Sequence, residues 1–426
     1  MHPRSLHFWI LVIVCSTITV LGILAKNHFV GAIGVIVAVT VSLLTLFQKD
    51  LSNLFAARVR NARAEEIAKN SYELILSRFV RAGARFDVTC LSALNYDSIF
   101  RVESIEPDRE YLAIDHAEFS GGSGANTGHI LARQGAAVSI LGIVGNDDVG
   151  NEMLRELREA KIDVSLIYQG NFRSGRTAVI SDIRGRRLIA VDPGANLHIA
   201  SIVEREVLAI NSRVLETRVF HVSSFAQHSS LVAPMRLIIN NMPDNIALSY
   251  VPGDIQSKYG LDDSYNGMMF SRADCIFIYE KQLDTLLLAT SGIVVTVSGS
   301  LRDRVTALLD WRTKNRSSRP FLLCIKREVS LQDNPYSTDY LSIFLCGSEV
   351  IKISESRHIN SVDPTNVYDS TGAGDAAAAG VISGLLDGCS LDELTRRAFS
   401  TSISVASTLG PRGRSELASG QPASSH

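Results

Sequence analysis

The chain has little that points to a metal centre, a disulfide framework or a polyanionic partner. Its six cysteines, Cys15, Cys90, Cys275, Cys324, Cys346 and Cys389, contain no C-x-x-C pair. That excludes a zinc ribbon, a thioredoxin-like redox motif and a stapled secreted scaffold, and the thiols read as reduced core residues. The ten histidines form no H-E-x-x-H or paired set, so a transition-metal centre lacks ligands at a usable spacing. A formal net charge of -2 gives no footprint for nucleic acid.

Apolar residues are plentiful, at 46% of 426, which is enough for one large α/β domain with an appendage. Phe8 to Ala25 is 18 residues without a charge and Phe29 to Phe47 is 19, each long enough to cross a bilayer core of roughly 30 Å as a helix. Only Lys26-Asn27-His28 separate them, so they predict a transmembrane hairpin over 1–48. Arg4 before it and Arg58, Arg60, Arg63 and Lys69 after it outnumber Lys26 in the turn, which puts both ends and everything downstream in the cytoplasm. A signal peptide over 8–25 is the competing reading. Residues 49–84 have helical spacing and predict a juxtamembrane helix or linker. The tail over 412–426, rich in Ser, Ala, Gly and Pro, predicts disorder.

Two glycine-rich elements carry chemistry. Asp369-Ser370-Thr371-Gly372-Ala373-Gly374-Asp375 runs into the apolar Ala376-Ala377-Ala378-Ala379-Gly380-Val381-Ile382. Residues 372–374 carry almost no side chain, so their N–H groups can approach an oxyanion at the positive end of the helix that follows. Asp375 then stands where a carboxylate can take a proton from an attacking hydroxyl. A flexible turn before a buried helix is the alternative reading. The second element, Ser120-Gly121-Gly122-Ser123-Gly124-Ala125-Asn126-Thr127, opens a helix that stops at Gly135 before the strand Ala137 to Gly145.

In order and spacing these segments resemble the ribokinase-like (PfkB-type) carbohydrate kinases over about residues 86 to 411. Asn146 to Asn151 and Val191-Asp192-Pro193-Gly194-Ala195-Asn196 resemble further marks of that family. The resemblance implies a doubly wound, mostly parallel sheet with a small β-lid, occupying 85–411. Strand candidates are Asp87 to Leu94, Val138 to Val144, Val219 to Ser223, Ile246 to Tyr250, Cys275 to Tyr279, Ile293 to Val297 and Phe321 to Ile325. Polar–apolar alternation over about 98–120 and 171–192 predicts the lid, and lids of this family often pair into homodimers.

The resemblance also implies roles. Asp375 is the general base. Thr371, Gly372, Ala373 and Gly374 hold the transferring phosphoryl group of ATP, with Mg2+ and a monovalent cation near Asp369. Asp97, Gly121, Gly122 and Asn126 bind a sugar or nucleoside, and Arg176 reaches a substrate phosphate or carboxylate. Where the family has N-x-x-E, this chain has Tyr279 and Gln282, leaving Glu280 as a displaced substitute. Lys326, after another strand, is a candidate for a nucleotide phosphate or a surface charge. Val251 and Ala377 also depart from the family pattern. The function expected is a membrane-anchored ATP-dependent sugar kinase. A nucleoside kinase, or a catalytically impaired sugar- or nucleotide-sensing membrane protein, is the alternative.

Overall fold

The computed structural model describes residues 62–182, 186–225, 228–293, 299–315, 317–330, 337–347, 349–359, 371–408 and 410–412, with Thr17, Val20 and Arg58. Met1–Ile67 and Ala68–His426 are separate compact units, and every strand among the described residues belongs to the second.

The strands are β1 (Phe86–Leu91), β2 (Asn95–Val102), β3 (Asp115–Gly121), β4 (Val138–Gly145), β5 (Asp163–Gly170), β6 (Gly175–Asp182), β7 (Arg187–Asp192), β8 (Thr217–Val222), β9 (Ala247–Tyr250), β10 (Cys275–Tyr279), β11 (Phe321–Ser330), β12 (Ser337–Cys346) and β13 (Val350–Ile359). Nine form one sheet in the order β13-β12-β11-β10-β9-β8-β1-β4-β5. Pairing is parallel from β5 to β11 and antiparallel from β11 to β13. The central strands are continuous apolar runs, and β4 is buried at every position, as a parallel strand covered on both faces requires.

The lid is a separate four-stranded sheet, β3-β2-β6-β7, built from the two alternating segments. Its entry is pinned by Asn196. The Asn196 Oδ1 accepts from the Leu94 N–H at 2.9 Å, and its Nδ2 donates to Leu94 O and Asn95 Oδ1, each at 3.0 Å. The antiparallel edge β12 and β13, and strand β5, do not stand out as strands in the sequence. The strand expected over Ile293 to Val297 falls on 294–297, outside the described residues.

The expectation of a membrane placement is corrected. Among the described residues no helix is long and apolar enough to cross a membrane, so neither the two-span hairpin nor its localisation carries forward. An uncharged run of that length is a necessary condition for a span, not a sufficient one. The two runs themselves lie outside the described residues, apart from Thr17 and Val20, as does the tail from 413.

Of the segment 49–84 read as a linker, residues 62–79 are helical, and from Ala68 onward that helix is part of the folded unit. Ile75 and Phe79 are fully buried in the core formed by β1, β4 and the helix Ala373–Leu386. Arg78 donates to the fully buried Asp274 at 2.6 Å. Arg272, Arg319 and the Leu248 N–H donate to the same carboxylate at 2.9, 3.1 and 2.9 Å. One anion thus ties this helix to the start of β10, and removing it leaves buried guanidinium groups unmatched. Asp274→Ala should lower stability by about 3–5 kcal/mol, read as a fall in the urea midpoint. An unchanged midpoint would show that the cluster is not structural.

Candidate active site

The two glycine-rich elements meet. Gly372 has φ +77°, in the left-handed region that only glycine adopts without strain, and it opens the 14-residue helix Ala373–Leu386. A Cβ at that position would stand 2.2 Å from the carbonyl oxygen of Pro411, so the turn after the last helix sits hard against this loop. The N–H groups of the first helical turn have no intrahelical acceptor.

The helix Ser123–Arg133 packs against Ala373–Leu386, whose small residues Ala376 to Gly380 are mostly fully buried. That packing places two donors on the half-buried Asp375. Ser123 Oγ donates to Oδ1 at 2.6 Å and Asn126 Nδ2 to Oδ2 at 3.0 Å. Thr127 Oγ1 donates to the Asp375 carbonyl at 3.3 Å. Burial pushes the Asp375 carboxyl up to about 6, against the hydrogen bonds from Ser123 and Asn126 and the charges of Arg187 and Arg412, which pull it down. A half-buried carboxylate whose pKa is raised toward neutrality has the properties of a general base.

Asp97, on lid strand β2, is buried. It lies against Gly121, where a Cβ would come within 2.0 Å of its Oδ2, so the second glycine element exists in part to admit this carboxylate. Gly122, at φ +105°, turns the chain from β3 into the helix. Asp97, Gly121, Gly122, Asn126 and Asp375 therefore form one cluster. Arg176 is exposed on β6; the lid cation within electrostatic reach of Asp375 is instead Arg187 of β7.

On the other side of Gly374, the Tyr279 hydroxyl sits 2.6 Å from where a Cβ of that glycine would be. Lys326, opposite Tyr279 in the strand register, holds its ammonium 5.9 Å from the Tyr279 ring centroid. Gln282 closes the helix start, accepting from the Tyr279 N–H at 3.0 Å and donating to Asp254 at 2.6 Å. Glu280 is engaged elsewhere, paired with the buried Arg304, which also holds Asp284 at 2.8 Å. Lys326 is thus brought to the loop and Glu280 is not. Asp369 lies outside the described residues.

Arg412 also escaped the sequence reading. It follows the turn Gly410-Pro411, and its guanidinium donates to Asn126 Oδ1 at 3.2 Å and Glu156 at 3.3 Å. A basic residue immediately after a Gly-Pro turn that closes the last helix was the available signal.

A carboxylate, an unpaired helix N-terminus and a lid over the carboxyl ends of a parallel sheet define a class: α/β enzymes that transfer an anionic group to an alcohol. A profile of pfkB family carbohydrate kinases matches residues 85–290 and 347–416. The chain belongs to that family and is a carbohydrate kinase in the broad sense that takes in sugar and nucleoside acceptors; ATP is the donor expected of the family. An uncharacterized sugar kinase of Archaeoglobus fulgidus is 25% identical over 270 residues, covering 62% of this chain and 90% of that one. A ribokinase of Mus musculus is 33% identical over 94 residues, 22% of this chain and 29% of its own. Among solved structures, the nucleoside kinase of Methanocaldococcus jannaschii superposes with a TM-score of 0.56 at 18% identity, covering 78% of this chain and 95% of that one. The Burkholderia thailandensis nucleoside kinase in complex with inosine gives 0.56 at 14%, covering 76% and 93%. These structural likenesses bear on the fold.

Proposed function

We propose that the protein transfers the γ-phosphoryl group of ATP to a hydroxyl of a sugar or sugar-containing small molecule, with Asp375 as general base. The observation that carries this reading is a half-buried carboxylate one residue beyond a glycine loop, with both its oxygens held by donors from the second glycine element. The backbone of 371–374 receives the transferring group, since helix N-terminal N–H groups favour negative oxygens. Asp97, Gly121, Gly122 and Asn126 line the acceptor side, and Arg176 stands at the lid rim. Lys326, stacked near Tyr279, serves the nucleotide phosphates as a point charge.

The donor set bears on the metal. Among the described residues no group of three His, Cys, Asp or Glu could hold an ion, and Gln282 brings an amide where a carboxylate would bind more strongly. That set suits magnesium carried mainly by the nucleotide, with the exposed Asp254 beside Gln282 as a carboxylate at hand among the described residues. Bound there, magnesium would neutralise charge on the β- and γ-phosphates. A monovalent cation near Asp369 belongs to the same proposal.

Sugars and nucleosides differ only in the acceptor, so a panel of ribose, fructose, hexose phosphates and nucleosides with ATP and magnesium tests the reading. Asp375→Asn should reduce turnover by roughly a hundred- to ten-thousand-fold while sparing acceptor binding measured by calorimetry. A near-normal rate in that variant would remove the base assignment.

The base must be ionised to act. The acid limb of kcat/KM should therefore fall near pH 6, with activity rising as pH increases through the Asp375 midpoint of about 6. A flat profile from pH 5 to 8 would contradict it.

The lid is proposed as a homodimer surface. On edge strand β7, Leu188 and Ile189 are each 54% exposed and Val191 48%. Leu188 lies on the opposite face of the strand from Arg187. Sedimentation velocity should give a dimer that Leu188→Asp converts to monomer, and a monomeric parent protein would end this part of the proposal.

A further inference from the structure

The turn 410–412 lies against both glycine-rich elements. A Cβ on Gly410 would meet the Phe119 ring of β3 at 2.6 Å, and Pro411 backs the Gly372 loop. Arg133 Nη1 clamps the Arg412 carbonyl at 2.9 Å. The Arg412 side chain is only 10% exposed, so its charge is not a solvated surface feature.

A side-chain amide can face either way, and what fixes it is its partners. Asn126 has its oxygen engaged by Arg412, which can only donate, and its NH2 group directed at Asp375. Flipping the amide would oppose Nδ2 to a guanidinium and Oδ1 to a carboxylate, losing two charge-assisted bonds at once. Arg412 is also the cation surrounded by Glu156, Asp97 and Asp375, whose charges favour its ionised form while burial lowers it to about 10.

We infer that Arg412 is a positioning residue for the base: it orients the Asn126 amide toward Asp375 and adds, alongside Arg187, positive charge that favours the ionised carboxylate. The inference rests on the reading of Asp375 as the base. The other charged or titratable groups near this pair are Arg187 of β7, Asp97 of β2, Glu156 of the helix Asp148–Glu159, and His129 and Arg133 of the helix Ser123–Arg133. His129 is half-buried, and that burial pushes it down to about 3, so it stays neutral through the range in which Asp375 titrates. Lysine in place of Arg412 would keep a charge but lose the guanidinium geometry.

The sign follows directly. Removing a nearby cation favours the neutral carboxyl, so the Asp375 midpoint rises and less of it is ionised at a given pH. The test is a 13C titration of aspartate-labelled full-length protein, with the Asp375 resonance assigned by its loss in Asp375→Asn. Arg412→Gln should raise the midpoint by about one pH unit, and Arg412→Lys should recover part of that shift. An unmoved midpoint in Arg412→Gln overturns the inference. If that variant does not fold, Arg412→Lys serves alone: it keeps a charge but loses the guanidinium that holds the Asn126 oxygen, so the midpoint should rise by less than about one pH unit, and an unmoved midpoint overturns the inference.

The acid limb of kcat/KM should move upward with the Arg412→Gln titration. A residue that only held the turn in place would lower thermal stability and leave both the midpoint and the limb where they were. If no acceptor is phosphorylated by the unaltered protein, the kinase reading fails, and the carboxyl titration still decides the role of Arg412.

Discussion

Bringing a carboxylate part-way out of water at the start of an apolar helix is unfavourable unless both its oxygens receive donors, and the rest of this site depends on how that demand is met. The helix Ala373–Leu386 supplies its own N-terminus but no side-chain donor in its first turn. Ser123 and Asn126 come from a helix some 250 residues earlier in the chain, and they reach Asp375 because the facing surface of the later helix is alanine and glycine. A larger residue at Ala376 or Ala379, both fully buried, would push the helices apart. The small-residue run is therefore a packing requirement as much as an anion-loop signature, and it couples the stability of the core to the alignment of the base.

This coupling explains why the glycine elements were legible in the sequence and the charges around them were not. A positive-φ glycine such as Gly372 or Gly122 is a local demand, and local demands leave a local pattern. The parallel strands were legible for the same reason, as continuous apolar runs over Val138–Gly145 and Phe321–Ile325. Arg412 answers to no local rule: its partners, Asn126 and Glu156, lie 286 and 256 positions away. Arg187 likewise sits on an ordinary alternating strand. The membrane localisation expected from Phe8–Ala25 and Phe29–Phe47 rested on an uncharged run alone, and among the described residues no helix is long and apolar enough to support it. The segment 49–84 shows a related limit, because Ile75 and Phe79 read equally well as one face of a spacer helix or as core, and only the location of Asp274 tells these apart.

The replacement of an asparagine by Tyr279 looks in sequence like damage to the nucleotide side, and the geometry changes its meaning. Tyr279 ends β10 and is partly exposed, with its hydroxyl over Gly374 and its ring beside the Lys326 ammonium. An aromatic face next to a lysine offers the cation an attractive surface that needs no desolvation of a second charge, so Lys326 is held near the loop without being neutralised. Gln282 keeps a structural task at the same helix start, capping Tyr279 and binding Asp254. The family's acidic position has thus become neutral while a cation and a separate carboxylate, Asp254, border the same short stretch.

The charge arrangement divides along the loop. On the acceptor side, Asp97, Glu156 and Asp375 are offset by the buried Arg412 and by Arg187 from the lid. On the donor side, Lys326 stands beside the Tyr279 ring, while Asp254 is bound by Gln282 and Glu280 is paired with Arg304. On the proposed reading a polyanionic nucleotide is favoured on the second side and disfavoured on the first, where it would face three carboxylates. On that reading, polarity of this kind orients the two substrates before any specific contact is made, and the largely buried Asp97 and Arg412 are the charges that salt screens least. Arg187 of β7 is one of the cations that pull the Asp375 carboxyl down, so on the proposed reading the lid contributes charge to the base as well as cover to the acceptor.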